Sequence, residues 1–314
     1  MPPLVKAAGV HVKAAFAALV IGFAMVPLAA GAQAADVNSR TRLEKAYAAF
    51  DKAASDAFED ADRPAMVARM YAADFSTLQT PGQLKNLSSR ELGALFNAAD
   101  TAAFYAPSRR YVADMALDLE ALESRGAATS DERDAYYGAI FQIRDFSGMS
   151  TYFEKHRSSS LGRPIDLKAS AAPPGLHVVL AVVDHDTLSR IPVDLGQGFH
   201  IVVVSHPDCH FTQNAVKAIS KSADLRQLFN EKSTWVAPPG RDVDLKDFVE
   251  WNKEHASTPI AIADAKSGWP EVDIWQTPTF LYFKNGKVVA RVIGWPKEGN
   301  EKALRDAIAK TASR

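Results

Sequence analysis

The sequence predicts an α + α/β chain, an all-helical first region followed by a mixed β-sheet flanked by helices. Three observations carry this. Between residues 38 and 157 apolar side chains recur at helical spacing, with short breaks between the runs. From residue 177 onward short apolar runs rich in Val and Ile alternate with amphipathic stretches, the pattern of a buried sheet with covering helices. Near the end, Asn285-Gly286 joins two apolar runs, the strongest short-range hairpin signal. With 314 residues, 47% hydrophobic and 23% charged, the chain is long and apolar enough to bury the cores of two domains.

Met1 to Ala34 reads as a secretory signal peptide. Lys6 and Lys13 form a basic front, Ala14 to Leu28 is apolar but for Gly22 and Pro27, and Ala32-Gln33-Ala34 is a small-x-small cleavage site. A comfortable membrane span needs about 20 apolar residues, more than this run offers, so cleavage is expected and no membrane span remains after it. The expected location is a bacterial periplasm. Taking Lys6 and Lys13 from the 36 basic residues leaves 34 against 37 acidic ones, a charge of −3. That balance gives no electrostatic case for nucleic acid or an anionic membrane.

Residues 36–157 are expected to form a helical domain. Thr41 with Glu44 is a candidate capping box, and Leu43, Tyr47, Phe50, Ala54 and Phe58 follow at helical spacing. Pro64 suits a helix start before Met66, Val67, Met70 and Tyr71, and Thr80-Pro81-Gly82 reads as a turn. Ser88 with Glu91 forms a second box ahead of Leu92, Leu95, Phe96, Ala99 and Ala103. Pro107 fits the first turn of a helix carrying Tyr111, Met115, Leu119 and Leu122, which Gly126 would end. Thr129 with Glu132 opens another, faced by Tyr136, Ile140, Phe141 and Ile143; Arg144-Asp145 is a tight turn before a short helix with Phe146, Met149, Tyr152 and Phe153. Two hairpins in tandem, with Tyr137-Gly138-Ala139-Ile140 and Arg144-Asp145-Phe146, resemble tetratricopeptide-like repeats, which implies a protein partner on this domain. A plain helical bundle shows the same pattern, and both readings stand.

Residues 158–175 are rich in Ser, Ala and Pro and read as a linker, leaving 176–314 as the second domain. There His177–Val183, Leu188–Leu195 and Phe199–Val204 read as strands, and Gln213–Leu225 as a helix. Thr234–Ala237 is a strand, Leu245–Asn252 a helix, Pro259–Ala263 a strand and Val272–Trp275 one turn. Thr279–Phe283 and Lys287–Ile293 make the hairpin, Gly294 ends it, and Glu301–Ala312 closes the chain as a helix.

This half resembles the thioredoxin-like superfamily. Cys209 follows the central apolar strand where that family places the first cysteine of Cys-x-x-Cys. Thr277-Pro278-Thr279 is similar to its cis-proline loop, and the Asn285-Gly286 hairpin, Gly294 and closing helix follow in order. The resemblance implies a thioredoxin-like sheet, a cis bond at Pro278 and substrate contact at Thr277 and Pro278. Trp275 and Trp295 flank the loop and either line a groove or pack as core.

The motif is Cys-His-Phe-Thr, with Thr212 where the family has its second cysteine, so this is a monothiol variant. Cys209 is the chain's single cysteine and can form no internal disulfide. A cysteine at a helix N-terminus meets unpaired N–H groups and the positive end of a dipole, which favour a thiolate. His206 and His210 would add to this if protonated, and Asp208 would oppose it. Thr212 is either a hydroxyl donor to the thiolate or an ordinary first-turn residue. No metal is expected: His206, Cys209 and His210 have the chemistry to bind copper or zinc, but adjacency of Cys209 and His210 constrains joint ligation, and the plainer reading is a solvated pair of histidines at the site rim. The expected activity is thiol–disulfide exchange through Cys209, with Thr212 and His210 in support and protein thiols or a low-molecular-weight thiol as partners. It calls for no cofactor. The rival is a redox-inactive binding module in a periplasmic assembly.

Overall fold

The computed structural model describes residues 40–57, 62–157, 161–168, 175–241 and 244–312. The expected signal, Met1–Ala34, lies outside the described residues, as do Phe58 and parts of the stretch 158–175. Seven helices make the first half as described: α1 (Arg42–Asp56), α2 (Arg63–Asp74), α3 (Pro81–Leu84), α4 (Ser89–Tyr105), α5 (Arg109–Ser124), α6 (Ser130–Gln142) and α7 (Phe146–Lys155). Their ends follow local chemistry. Ser88 and Thr129 each close a reciprocal capping box, with Glu91 and Glu132, satisfying two orphan N–H groups apiece. Pro64 sits in the first turn of α2, where its missing N–H costs nothing. Gly126, at φ +63°, takes the left-handed conformation that ends α5.

Two expectations here are corrected. Thr80-Pro81-Gly82 is a one-turn helix, because the Thr80 hydroxyl accepts from Gln83 N–H and Pro81 supplies the first position. Pro107 lies before α5 rather than in it, since Ser108 takes the cap and accepts from Arg110 N–H at 3.2 Å.

The second half is built on an eight-stranded sheet: β1 (Asp166–Lys168), β2 (His177–Val182), β3 (Thr187–Val193), β4 (Phe199–Val204), β5 (Ser233–Ala237), β6 (Ile260–Ala263), β7 (Thr279–Lys284) and β8 (Lys287–Ile293). Their order is β1-β3-β2-β6-β5-β4-β7-β8. The inner strands β6, β5 and β4 run parallel, whereas β7 runs antiparallel to β4 and β8 antiparallel to β7. Four helices accompany the sheet: α8 (His210–Lys221), α9 (Ala223–Lys232), α10 (Lys246–Glu254) and α11 (Glu301–Ala312). β1 falls inside the stretch read as linker, where Leu167 is the one large apolar residue of a three-residue strand pairing with β3.

β4 and β7 are buried on both faces, which is why they read as nearly unbroken apolar runs. Ile201, Val203, Phe280 and Tyr282 enter one apolar cluster, and Val202, Val204, Leu281 and Phe283 the other. At the hairpin, Asn285 (φ +49°) and Gly286 (φ +77°) take the left-handed pair that a tight two-residue turn demands.

The helix after Cys209 differs from expectation. It starts at His210, stops at Lys221, and a second helix follows from Ala223. Ser222 is extended between them, its hydroxyl donating to Asp224 at 2.6 Å and accepting from Arg305 at 2.7 Å, which pins the break to α11. Val272–Trp275 forms no turn. A 3₁₀ turn lies earlier, at Lys266–Gly268, and the later stretch instead lays Val272 and Trp275 into the second apolar cluster.

The described residues from Arg42 onward form one compact unit. The helices meet the sheet at the carboxyl ends of β5 and β6. Arg144, left-handed at φ +58°, donates to backbone oxygens of Ala263 and Asp264. Arg241, just beyond β5, pairs with Asp100 and donates to Gln142 at 2.6 Å. Gly138 leaves room for this contact: a Cβ there would stand 3.1 Å from the Arg241 carbonyl oxygen.

Candidate functional site

β4 ends at Val204, and Ser205 N–H still bonds the Val236 carbonyl of β5 at 2.8 Å. The chain then turns sharply. Cys209 N–H reaches back to His206 O at 3.1 Å, and the Gln213 side chain holds Pro207 O at 2.9 Å. Cys209 is the extended residue before α8, and its carbonyl accepts the helical bond from Gln213 N–H at 3.0 Å. Buried strand, constrained turn and helix start together fix the thiol at the positive end of α8.

The opposite wall comes from β7. Thr279 pairs with Val204 across the two strands, which places the preceding Thr277–Pro278 beside the turn that holds Cys209. That peptide bond is cis, as expected. Gly294 N–H bonds the Pro278 carbonyl at 2.8 Å, and the Thr279 hydroxyl bonds Gln276 O at 2.7 Å, so the loop is tied at both ends. The Cys209 thiol donates to the Thr277 carbonyl oxygen at 3.4 Å.

Burial alone pushes the Cys209 thiol up, and it is the largest single influence. The Thr277 hydroxyl, the Thr212 N–H and hydroxyl, and the Phe211 N–H outweigh it together, and hold the thiol below its ordinary value. Cys209 is half-buried, screened yet reachable. Thr212 is fully buried, and its hydroxyl favours the thiolate while making no well-formed hydrogen bond. Ser205, also fully buried at the end of β4, has an unpartnered hydroxyl as well.

The structure therefore brings together Cys209, Thr212, Thr277 and Pro278. His210 stands outside this group: it is exposed, with its ring 4.0 Å from that of Phe211 rather than on the sulfur. His206 accepts from Asp208 N–H at 3.3 Å and lays its ring against Phe248. Among the described residues no group of three or more His, Cys, Asp and Glu side chains is arranged to hold a metal, and His206, Cys209 and His210 are not gathered into one. Trp275 packs into the second apolar cluster; Trp295 is buried, 6.2 Å from Phe280. A cleft of about 500 Å³, lined by neither Cys209 nor the Thr277–Pro278 loop, runs between His210, Phe211 and Asn214 on α8 and Trp295, Lys297 and Glu301 opposite. Phe211 is 46% exposed at its rim.

Sequence reasoning placed Thr277 as a substrate contact and missed it as a partner of the sulfur, because pairing across β4 and β7 is not visible in either segment alone. It missed Ser205 and Phe211 entirely. A hydroxyl ending an apolar run was the available signal for the first. For the second it was a large aromatic on the polar first turn of a helix.

No family model and no curated protein matches the sequence. Among solved structures, a thioredoxin-like protein from Bacteroides caccae is 13% identical, over 73% of this chain and 79% of its own, at a TM-score of 0.28. A score that low carries no argument. The α + α/β class, with a mixed sheet flanked by helices, rests on the strand order, the parallel β4–α8–α9–β5 passage and the closing β7–β8–α11 unit.

Proposed function

We propose that this is an exported, periplasmic thioredoxin-like protein that carries out thiol–disulfide exchange through Cys209 alone. One observation carries the reading: a half-buried thiol at a helix start, facing the Thr277–Pro278 loop, is surrounded by donors that favour its thiolate.

The thiolate attacks one sulfur of a substrate disulfide. A new S–S bond forms to Cys209 as the old one breaks, and the second substrate sulfur leaves as a thiolate that is protonated by solvent. Thr212 carries no sulfur to reverse this. An external thiolate, from a protein or a low-molecular-weight thiol, attacks the substrate sulfur of the mixed disulfide. Cys209 leaves as a thiolate and the substrate departs joined to the external thiol. Disulfides are exchanged with no net oxidation.

Disulfide-linked adducts resolved on non-reducing gels, comparing wild type with Cys209→Ala, test this directly. Adducts that require Cys209 and dissolve on adding excess thiol are expected. No adducts, together with alkylation at the rate of a free thiol of ordinary pKa, about 8.5, would sink the exchange reaction and leave a binding module.

A further inference from the structure

A second polar cluster lies within the helical half, remote in sequence from the thiol. Asp118, fully buried on α5, accepts from Gln79 Nε2 at 2.9 Å. The same amide nitrogen donates to the Tyr71 hydroxyl at 3.1 Å, and Tyr71 donates to Asp114 at 2.9 Å. The chain Asp118–Gln79–Tyr71–Asp114 thus ties α5 to α2 and to the segment between α2 and α3. Two side-chain atoms in the cluster are buried without a partner: Asp118 Oδ1 and Gln79 Oε1. Both are acceptors in the ionised cluster, so what it lacks is a donor. A proton on Asp118 Oδ1 supplies one and removes a buried charge.

Among the described residues no cation acts on Asp118. Asp114, one turn away, is itself acidic, and Arg110 acts on Asp114. Tyr111 of α5 faces Tyr71, with ring centroids 5.0 Å apart. On α4, which packs on α5, Arg90 pairs with Glu44, Glu91 caps Ser88 and Asp100 pairs with Arg241. On α6, Glu132 caps Thr129 and Arg133 pairs with Glu123. The short α3 has no charged residue, and Arg125 donates to Leu84 and Leu87 carbonyls.

We propose that the Tyr71–Gln79–Asp114–Asp118 cluster is a proton-linked lock on the helical half, closed when Asp118 carries a proton and loosened when it ionises. Burial, the dominant cause, pushes the Asp118 carboxyl up to about 8; the Gln79 bond acts against it and the Asp114 charge adds to it. An unfolded Asp titrates near 3.9. Between about 4 and about 8 the folded chain holds a proton that the unfolded chain has lost, so stability falls as pH rises through that window and levels off above it. The segment most affected is Ser76–Leu87, which Gln79 fastens to α5.

Hydrogen exchange of the full chain across that pH range, corrected for intrinsic exchange chemistry, tests the lock. Opening of Ser76–Leu87 in wild type should rise by up to about tenfold per pH unit between about 4 and about 8. Asp118→Asn, which keeps a donor at that position without charge, should remove most of that slope, leaving only what Asp114, also pushed up by burial, contributes. A wild-type segment that does not respond, or an Asn variant with the wild-type slope, overturns the lock. Should the variant fail to fold, carbon-13 titration of the wild-type Asp118 carboxyl decides: a midpoint near 8 upholds the proposal, and one near the ordinary Asp value, about 4, ends it.

Discussion

Arg144 reaches Asp264 across 120 residues of sequence, its Nε donating to the Asp264 carbonyl oxygen at 2.9 Å. The same guanidinium donates to Ala263 O at 2.9 Å and to Phe141 O at 3.0 Å, so one half-buried side chain serves three backbone acceptors. Asp264 in turn pairs with Arg190 of β3. Helical half and sheet are therefore joined through charge-assisted bonds at the end of β6, where a side chain of another shape leaves acceptors unmet.

Replacing Arg144 by Ala should cost about 2–4 kcal/mol, since buried carbonyls lose their donors. Urea unfolding followed separately by tyrosine and tryptophan signals checks it. All five tryptophans lie beyond residue 176, so divergence of the two curves in the variant would show the halves uncoupling. A variant as stable as wild type would remove Arg144 as a fastening.

The thiol at Cys209 should titrate below the free-thiol value of about 8.5 when alkylation rate is followed against pH. Thr212→Val deletes a hydroxyl that favours the thiolate and should raise the midpoint; Thr212→Ser should restore most of it. If Val and wild type titrate alike, Thr212 is only a buried first-turn residue.

Much of this architecture could be read from local patterns. Ser88–Glu91, Thr129–Glu132, Gly126 and Asn285-Gly286 are governed by residues within a few positions of one another, and all four took the expected conformations. The break at Ser222 could not be read this way, because it depends on Arg305 arriving from α11. Nor could Arg144 as a fastening: a tight turn was expected there, but two of its partners, Ala263 and Asp264, lie at the end of β6. At the site, the sequence named Cys209, Thr212 and the Thr277–Pro278 loop. It also favoured His210, whose place beside the cysteine in sequence carried no information about where its ring turns.

Phe280 should be the costliest single truncation in the sheet. It is fully buried between Phe229 at 6.0 Å, Trp235 at 6.5 Å and Trp295 at 6.2 Å, all on the face of β7 opposite Leu281 and Phe283. Phe280→Ala should lose about 3–5 kcal/mol by the same urea measurement. A loss below about 0.5 kcal/mol, the scale of an ordinary surface change, would contradict this packing.

Thr212→Cys asks whether the site retains the shape of a dithiol. Thr212 is fully buried in the first turn of α8, and its side chain acts on the Cys209 sulfur. A sulfur in place of that hydroxyl lies on the same side of the turn, within reach of the short Cβ separation a disulfide requires. The variant should show two titratable thiols when reduced and none after oxidation by a small disulfide. It should also free itself from mixed disulfides, because the new thiolate can attack the Cys209–substrate bond from within. Adducts trapped by wild type would then fade in the variant without added thiol. If both thiols survive oxidation, or only intermolecular dimers appear, the first turn of α8 does not bring position 212 onto the sulfur. In that case the thiolate at Cys209 is held by Thr277 and the backbone N–H groups alone.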